Sequence, residues 1–506
     1  MRKTLVTILV LSAIFAADMA YAQTVRKNIN NLSAQELQSL RRGVEVMKSR
    51  DSAARNSANW RRSWQFWANM HLHFGQNCNG PVLGHPSFAG QQDWTAQSVA
   101  ETRTWCQCEH GTDHFIAWHR MYLWYFERVL SQAAGDPNLH LPYWDYSDPA
   151  SRELPVAYRS PTYVDQNGQT KPNPLFTPHR HPGLNAGTVS LQASTVSLAQ
   201  AFGEDDFLNN VSGGFSGVLE QTPHGAVHCS VTVGPSCSGT GLMGNVATAA
   251  QDPIFWLHHA NIDRLLECWI NDDPANHQLP GTKAFLSRKY TFVNETGARR
   301  VRAVRTMLTT PQLGYTYEKS KNCLNFVGSA MSTSGKPGRI VRGVATSFVV
   351  GEHVDLGAGS AQVVLKFGTT ARNTVGARAA AVATRQRHLL VLEGITYTAN
   401  PGGMYIVYLK SGNGDRVQVG QLSFFGVMEG KHKAHHGTGR QAFDITAALR
   451  QIAKDELIPE EVTLEIEPTT GLSDSTPEKA QAGHNRDAGL KVESVKFVIQ
   501  ERESAQ

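Results

Sequence analysis

Histidine is scarce in this chain, and it gathers in apolar, aromatic-rich segments where a buried imidazole needs a partner. Only 20 of the 506 residues are histidine. The pattern is concentrated in Cys108–His110, Trp118–Arg120 and Asp252–Arg264. Imidazole binds copper, zinc, iron and nickel, and a histidine set with few carboxylates beside a cysteine favours copper. The sequence therefore predicts a buried metal site between helices.

Spacing limits which histidines can share a metal. His224 and His228 are four residues apart and lie on one face of a helix. A metalloprotease would need a glutamate directly after the first histidine, and Gly225 stands there. His258 and His259 are adjacent and point roughly 100° apart on a helix, so at most one is predicted to face a common metal.

His110 and His119 are nine residues apart, a spacing that ends on the opposite face of one continuous helix. They can converge only if His110 lies before the helix that carries His119, and Gly111 allows such a break. His71 ends an aromatic helical run and can also enter the interior. His73 and His114 are nearby competitors.

Composition predicts a globular protein of two domains. The 506 residues exceed one ordinary domain, and 41% are hydrophobic and 18% charged. The net charge of +5 is small, and no basic stripe is interleaved with aromatics, which argues against a nucleic-acid partner. Beyond the N-terminus no run reaches about 18 apolar residues, so no membrane span is expected.

The N-terminus has the three parts of a secretory signal peptide. A basic start at Met1-Arg2-Lys3 precedes an apolar run from Leu5 to about Ala17, and Ala20-Tyr21-Ala22 supplies small residues for cleavage. Residues 1–22 are predicted to be removed, and the mature chain to be secreted or periplasmic. Seven cysteines are then an odd number for an oxidising compartment, enough for three disulfides and one thiol with other chemistry.

The pattern changes from helical to β-rich along the chain. Residues 30–135 are predicted to be mostly helical, with further helices over about 216–229 and 252–271. Residues 321–340 are a predicted linker, and residues 469–486 a polar loop. From residue 341 short alternating strands with frequent glycine turns predict a β-sandwich or jelly-roll domain.

From about Trp60 to Tyr317 these motifs resemble the type-3 copper proteins, that is tyrosinases, catechol oxidases and molluscan-type hemocyanins. The resemblance is carried by Trp118-His119-Arg120, by Glu220-x-x-Pro223-His224-x-x-x-His228, by Asp252-Pro253 to Arg264, and by Tyr315-Thr316-Tyr317. It implies two copper ions, with O2 as co-substrate. The implied ligands are His71, His110 and His119 for one copper and His224, His228 and His259 for the other.

The resemblance also implies roles for residues around the metals. Cys108-Glu109-His110 is similar to the thioether motif of fungal tyrosinases and molluscan hemocyanins, in which the cysteine sulfur is bonded to the histidine ring. Glu220 resembles the glutamate that orients a water near the second copper. Asp263, four residues after His259, would hold a neighbouring imidazole or arginine.

Two positions bear on the substrate pocket. Gly225 stands where many tyrosinases carry asparagine, which implies weaker deprotonation of monophenols. Val246 stands where plant enzymes often have a phenylalanine gate, which implies a wider pocket.

The C-terminal part resembles the shielding domain of plant-type polyphenol oxidases. The resemblance is carried by His388–Ile395, Gly420–Gly426, Phe443–Thr446 and Val495–Ile499. In such relatives this domain covers the copper site until it is moved. The predicted plug lies between Phe424 and Met428, with Phe424, Phe425 and Met428 as its candidate residues.

The resemblance implies an α+β multidomain fold. A mainly α-helical four-helix-bundle dicopper domain over residues 23–320 is followed by a linker over 321–340 and a β-sandwich or jelly-roll-like shielding domain over 341–506. We expect a latent oxidase of o-diphenols, with phenolic substrates and an activating protease as partners, and with weak monophenol hydroxylation as an open addition. The alternatives are an o-aminophenol oxidase and a hemocyanin-like oxygen carrier. A zinc protein is disfavoured because six histidines exceed what one tetrahedral zinc uses.

Overall fold

The computed structural model describes the chain in thirteen stretches. They are residues 24–72, 76–77, 80–81, 101, 104–232, 237, 241–321, 323, 340–357, 359–375, 386–425, 439–453 and 458–502. The predicted signal peptide, His73, Met428 and most of the predicted linker lie outside the described residues.

Helices dominate the first two thirds of the described chain. They are α1 Ala34–Ser49, α2 Trp64–His71, α3 Phe115–Ala134, α4 Pro182–Ala186, α5 Ala199–Phe202, α6 Gly214–Leu219, α7 Ala226–Val231, α8 Val246–Ala249, α9 Ile254–Asp272, α10 Lys283–Ser287, α11 Thr310–Leu313, α12 Thr369–Val375, α13 Thr446–Ala453 and α14 Pro477–Ala482. A π-helical turn over Glu220–Gly225 joins α6 to α7 and kinks at Thr222. The single helix predicted over 216–229 is therefore two short helices, because Pro223 cannot continue a regular helix.

Short strands accompany the helices, and long strands form the C-terminal part. They are β1 Thr24–Arg26, β2 Gln76–Asn77, β3 Gly80–Pro81, β4 Thr162–Val164, β5 Thr170–Pro172, β6 Lys289–Val293, β7 Arg299–Ala303, β8 Tyr315–Tyr317, β9 Ile340–Asp355, β10 Ala361–Lys366, β11 Gln386–Glu393, β12 Met404–Lys410, β13 Arg416–Ser423, β14 Gln441–Asp444, β15 Glu461–Thr469 and β16 Lys491–Arg502.

Aromatic side chains fill the space between α2, α3 and α9. The rings of Phe126 and Trp256 stack with centroids 3.4 Å apart, and Trp67 stacks on Tyr122 at 5.7 Å. Trp64 meets both Phe126 and Trp256 edge to face. Large rings in offset and edge-to-face contact fix the relative positions of helices, since each ring buries a large apolar area. This packing sets the distance between the helices that carry the histidines.

The C-terminal strands form two facing antiparallel sheets, with the orders β10-β15-β12-β13 and β14-β11-β16-β9. Side chains of both sheets share one hydrophobic core, with Val407 and Leu464 from the first and Leu390 and Phe497 from the second. A helical central domain followed by a β-sandwich confirms the predicted fold class.

Four described cysteines form two disulfides, Cys229–Cys237 and Cys268–Cys323. Cys106 is disulfide-bonded as well, and Cys108 is free. Among the described cysteines, Cys108 is the one outside a disulfide.

The β-sandwich is fastened to the helical domain by buried polar contacts. Arg387 of β11 donates to both carboxylate oxygens of Glu204, at 2.6 and 3.0 Å, and to Asp444 at 2.8 Å. Gln200 of α5 donates to the carbonyls of Val419 and Asp444 and accepts from the Asp444 amide. Burying a charged guanidinium is costly unless its hydrogen bonds are satisfied, so this pairing favours one docked arrangement.

The segment predicted as a polar loop, 469–486, is part of the same contact. Gly471 accepts from the Gln192 amide and the Thr195 hydroxyl, and Leu472 is buried in the core of the helical domain. α14 also lies within this segment. The polar composition of the segment gives no sign that Leu472 is buried and anchors the segment to the helical domain.

A buried carboxylate, Asp263 of α9, ties the helical domain to the N-terminal strand. It accepts from Arg120 at 2.5 Å, from Arg26 at 3.5 Å, and from the hydroxyls of Tyr315 and Tyr317 at 2.5 and 2.7 Å. β1, which carries Arg26, pairs in parallel with β8, which carries both tyrosines. The pKa of Asp263 is lowered by the two arginines and the two hydroxyls, against the opposing effect of burial.

Asp263→Asn should destabilise the protein strongly, because it leaves two buried arginines without their common carboxylate. We expect a loss of about 3–5 kcal/mol in the free energy of unfolding, measured by urea denaturation. Asp474→Asn, which removes the exposed Lys479 pair, is the control and should cost about 1 kcal/mol or less. Equal losses in the two variants would contradict a structural role for Asp263.

Candidate metal centre

Three predicted ligands converge at one end of α2 and α3. His71 is the last residue of α2, His119 lies in α3, and His110 lies in the turn before α3. Gly111 has φ +62°, the left-handed conformation that lets the chain turn between His110 and α3. The ring centroids are 4.8 Å apart for His71 and His110, 5.6 Å for His71 and His119, and 5.1 Å for His110 and His119.

The second cluster is built by the kinked segment and α9. His224 lies in the π-helical turn, His228 in α7, and His258 and His259 in α9. The ring of His224 is 4.7 Å from that of His228 and 5.0 Å from that of His259. In each cluster one nitrogen of every histidine lies within 4.8 Å of the others. The two clusters adjoin, since His119 stacks on His259 at 4.6 Å.

Backbone carbonyls fix the orientation of four imidazoles. In each the Nδ1–H donates to a carbonyl and leaves Nε2 free to bind a metal, an arrangement typical of metal-ligating histidines. The pairs are His71 to Val246 at 2.7 Å, His119 to Phe115 at 2.7 Å, His224 to Glu220 at 3.0 Å and His228 to Met243 at 2.8 Å.

Burial keeps these imidazoles neutral. Loss of hydration lowers the pKa of His71 to about 4, and it lowers the pKa of His119, His224, His228 and His259 well below the usual range. Neighbouring imidazoles lower the last four further. Neutral imidazole is the form that binds a metal, so the site offers its lone pairs across the ordinary pH range.

Both adjacent histidines of α9 lie at the second cluster, where at most one of them is predicted to face the metal. The Nε2 atoms of His259 and His228 are 3.3 Å apart, the separation expected for two nitrogens on one metal with bonds of about 2.0–2.1 Å. His258 instead contacts the hydroxyl of Tyr146 through Nδ1 at 3.0 Å. The short distance to His228 supports His259 as the ligand, although Nε2 of His258 is also buried without a hydrogen-bond partner among the described residues. Nothing local to His258 in the sequence indicates the Tyr146 contact.

Cys108 lies against both histidines that follow it. Its sulfur is 3.4 Å from Nδ1 of His110 and 3.8 Å from Nε2 of His119. Burial raises the pKa of this thiol well above its usual range, and the nearby Glu109 and Glu220 raise it further. The raised pKa keeps Cys108 as a neutral thiol beside the ring of His110. This is the ring that the resemblance implies is bonded to the sulfur.

Glu220 is buried one turn before His224. Its Oε1 accepts the amide of Gly111 at 2.7 Å, so it bridges the two clusters through the turn after His110. Burial raises the pKa of the carboxyl well above its usual range, with the Gly111 amide opposing and Glu109 adding to the shift.

The predicted pocket residues face different neighbours. Val246 begins α8, and its carbonyl orients His71. A Cβ atom on Gly225 would lie 2.9 Å from the Ser423 hydroxyl and 3.4 Å from Cβ of Phe425. Asp263 binds arginines and tyrosines rather than an imidazole, and it acts on the site through Arg120, the residue after His119.

Phe425 of the β-sandwich covers the second cluster. Its ring stacks on His228 with centroids 3.9 Å apart and an interplanar angle of 11°, and it lies 5.5 Å from His224 and 6.2 Å from His110. Phe424 belongs to the core of the β-sandwich, where it meets Tyr405 at 6.1 Å. Of the three candidate plug residues, only Phe425 lies at the histidines among those described.

The donor set fits a pair of copper ions. Buried Nε2 atoms of His71 and His224 have no hydrogen-bond partner among the described residues, an arrangement that costs free energy unless a metal takes them. Imidazole nitrogens with no carboxylate in either cluster suit copper. The sequence had pointed to these residues through their spacing, while the orienting carbonyls of Val246 and Met243 follow from the fold alone.

Comparison with known proteins gives the same family. The model for the common central domain of tyrosinase matches residues 61–195 and 184–272. A tyrosinase from Hahella sp. (strain CCB-MM4) is 30% identical over 359 residues, which cover 65% of this chain and 70% of that protein. The chloroplastic catechol oxidase B of Solanum tuberosum is 29% identical over 240 residues, covering 44% of this chain and 41% of that protein.

Solved structures share the fold over nearly the whole chain. Recombinant latent aurone synthase, a polyphenol oxidase, superposes with a TM-score of 0.63 at 19% identity, covering 95% of this chain and 90% of that one. Latent apple tyrosinase gives a TM-score of 0.58 at 17% identity, with 94% and 97% covered.

The chain belongs to the tyrosinase family of type-3 copper proteins. It is a copper oxidoreductase, and its two histidine clusters are those expected for the copper pair. A search of the described helices finds none with the length and apolar character needed to cross a membrane.

His119→Gln should lower the copper content of the purified protein from about two ions per chain to about one, because it removes a central donor of the first cluster. Elemental analysis measures the content. His114→Gln is the control, since His114 lies five residues away, outside both clusters, and contacts Phe285. Unchanged copper in the His119 variant would contradict its assignment as a ligand.

Proposed function

We propose that this protein is an exported, latent polyphenol oxidase that uses a copper pair and O2 to oxidise o-diphenols to o-quinones. The observation that carries the proposal is the pair of neutral, buried histidine clusters lying side by side under Phe425. His71, His110 and His119 would hold one copper, and His224, His228 and His259 the other. The bound metals would supply dioxygen binding and two-electron oxidation.

The residues around the clusters would accept the substrate proton and shape the substrate pocket. Glu220 would take up the proton that a phenol loses, since a carboxyl with a raised pKa can hold a proton near neutral pH. Val246 and Gly225 would leave room for the substrate ring. The small Gly225 offers no side chain to help Glu220, which favours substrates that already carry two hydroxyls.

Cys108 would be joined to the ring of His110 by a thioether, whose formation removes one hydrogen atom from the thiol and one from the ring, with O2, the proposed co-substrate, as the two-electron oxidant. The contact of 3.4 Å between sulfur and Nδ1, and the absence of any disulfide to Cys108, support this. Such a bond would prevent the imidazole from turning. A proteolytic peptide containing both residues would lack two hydrogen atoms by mass spectrometry, and a peptide of unmodified mass from active enzyme would contradict the bond.

Latency would come from the β-sandwich. Phe425 occupies the face of His228 and His224 that a substrate ring would need, and the Arg387 and Gly471 contacts hold the sandwich in place. Cleavage in the predicted linker, residues 321–340, by a protease would precede release of the catalytic part, residues 23–320. The signal peptide, residues 1–22, would direct the chain to the periplasm or outside the cell.

The test of the function is turnover by the mature, copper-loaded protein before and after limited proteolysis. We expect little oxidation of catechol before cleavage and at least about tenfold more afterwards, with slow or no turnover of tyrosine, measured as oxygen consumption and quinone absorbance. Faster turnover of tyrosine than of catechol would contradict the argument from Gly225. If the protein took up oxygen reversibly without forming quinone after complete removal of the sandwich, the assignment would change from an oxidase to an oxygen carrier. If it oxidised o-aminophenol faster than catechol, the assigned substrate class would change to o-aminophenols.

Phe425→Ala should raise catechol oxidation by the uncleaved protein, because it removes the ring that stacks on His228. We expect an increase of about tenfold in kcat/KM for catechol and none after proteolysis has already removed the sandwich. Phe424→Leu is the matched control, since Phe424 packs inside the β-sandwich and keeps its apolar volume in this change. An uncleaved Phe425 variant as inactive as the parent protein would refute Phe425 as the plug.

A further inference from the structure

The β6–β7 hairpin concentrates positive charge. Residues 288–305 contain six basic residues and one acidic residue, a formal charge of +5 that equals the net charge of the whole 506-residue chain. Outside this segment the charges balance. A local excess of this kind creates a field that attracts polyanions over a distance set by the ionic strength.

The charges of the hairpin are displayed at the surface with few acidic partners. Arg300 and Arg302 are exposed, and their guanidinium groups donate to backbone carbonyls of their own strand, those of Arg299 and Val301. Among the described residues neither forms an ion pair, and Lys289 and Arg305 are exposed without one as well. These cations are therefore available to a partner.

Two arginines of the hairpin converge with a third on α3. Arg300 and Arg302 are opposite Phe292 and Tyr290 in the hairpin register, so they project to the face that packs on α3. Phe292 stacks there on Tyr125 at 5.3 Å. Arg302, Arg128 and Arg300 all lie near enough to Tyr125 to oppose the rise in its pKa that burial causes. Glu295, the acidic residue of the segment, forms an ion pair with Arg128 at 3.0 Å.

The chemistry of the patch restricts the partner. Five of its six cations are arginine, whose planar fork suits bidentate contact with carboxylate or sulfate groups. Arg300 and Arg302 are two residues apart in β7, so they lie on one side of the strand, roughly 6.6–6.8 Å apart. A binder of single-stranded nucleic acid would also present aromatic rings for base stacking, but Tyr290 and Phe292 are buried beneath the patch.

A membrane surface is disfavoured too. An interfacial binder inserts several apolar side chains beside its cations. The only exposed large apolar side chain described in this segment is Val301, which is 55% exposed. A chain of acidic sugars carries anions without bases or acyl chains, and so fits a patch that offers neither exposed rings nor several exposed apolar side chains.

We propose that the β6–β7 hairpin, with Lys289, Arg300, Arg302 and Arg305, is a docking surface for an acidic polysaccharide. The surface is separate from the histidine clusters, and binding there would hold the enzyme on an anionic matrix. Its occupant is a carboxylated or sulfated sugar polymer running along β7. The proposal does not depend on the substrate of the copper site.

The test is retention of the mature, copper-loaded protein on immobilised polygalacturonate at low salt. Arg300→Gln/Arg302→Gln should weaken binding roughly tenfold, while copper content stays unchanged. Arg450→Gln/Arg486→Gln removes the same charge from exposed positions of the β-sandwich and should leave binding unchanged. Neutral dextran should not retain the parent protein, and added salt should release it.

Three results would overturn the proposal. They are no retention on polygalacturonate, an equal loss in the two double variants, and tighter binding to duplex DNA or to phosphatidylglycerol vesicles than to the polysaccharide. The last would assign the patch to another class of polyanion. Because copper content is read independently, failure here is distinguishable from failure of the oxidase assignment.

Discussion

The hydrogen-bonded carboxylate of Asp263 is the interaction on which the copper site depends most. It lies one helical turn after His259 and binds Arg120, the residue next to His119. Its other partners, Arg26, Tyr315 and Tyr317, come from the two ends of the helical domain. The Asp263–Arg120 ion pair thus joins α9 to α3 beside the aromatic packing between them, next to the 4.6 Å stacking of His119 on His259 where the two clusters meet.

The remaining order around the metals comes from the backbone. Four imidazoles donate Nδ1–H to carbonyls that the fold places at the correct distance, so each Nε2 is oriented without any side-chain partner. Glu220 and Cys108 then lie between the clusters, where burial raises the pKa of both groups above their usual ranges. These contacts orient the imidazoles through the protein's own backbone, whether the carbonyl lies in a helix, as at Phe115, or in a turn, as at Met243.

Much of this could be predicted from the sequence because the chemistry is local. The i,i+4 pair His224/His228 and the glycine break after His110 follow from helix geometry, and the strands of the sandwich follow from alternation and glycine turns. The kink at Thr222 was missed because the motif was treated as one helix.

Long-range contacts were the part that sequence patterns could not provide. Nothing local to His258 indicates Tyr146, and nothing in the polar stretch 469–486 indicates that Leu472 is buried in the other domain. Phe424 and Phe425 are neighbours with the same side chain, and only the alternation of the chain as it leaves β13 decides that one fills the sandwich and the other faces the histidines. The ion pair of Arg387 with Glu204 likewise joins residues 183 positions apart.

The contacts between the β-sandwich and the helical domain determine how a chain cut in the linker behaves. Arg387, Gln200 and Gly471 hold the sandwich through contacts that do not involve the predicted linker. Severing the linker therefore leaves these contacts intact. In the uncut chain the linker keeps the β-sandwich at a high effective concentration beside the helical domain. After the cut, the sandwich is a separate molecule, and its binding to the helical domain depends on its own affinity and on the protein concentration. A nicked enzyme would then stay closed in concentrated solution and open on dilution, so that its activity reports protein concentration as well as proteolysis.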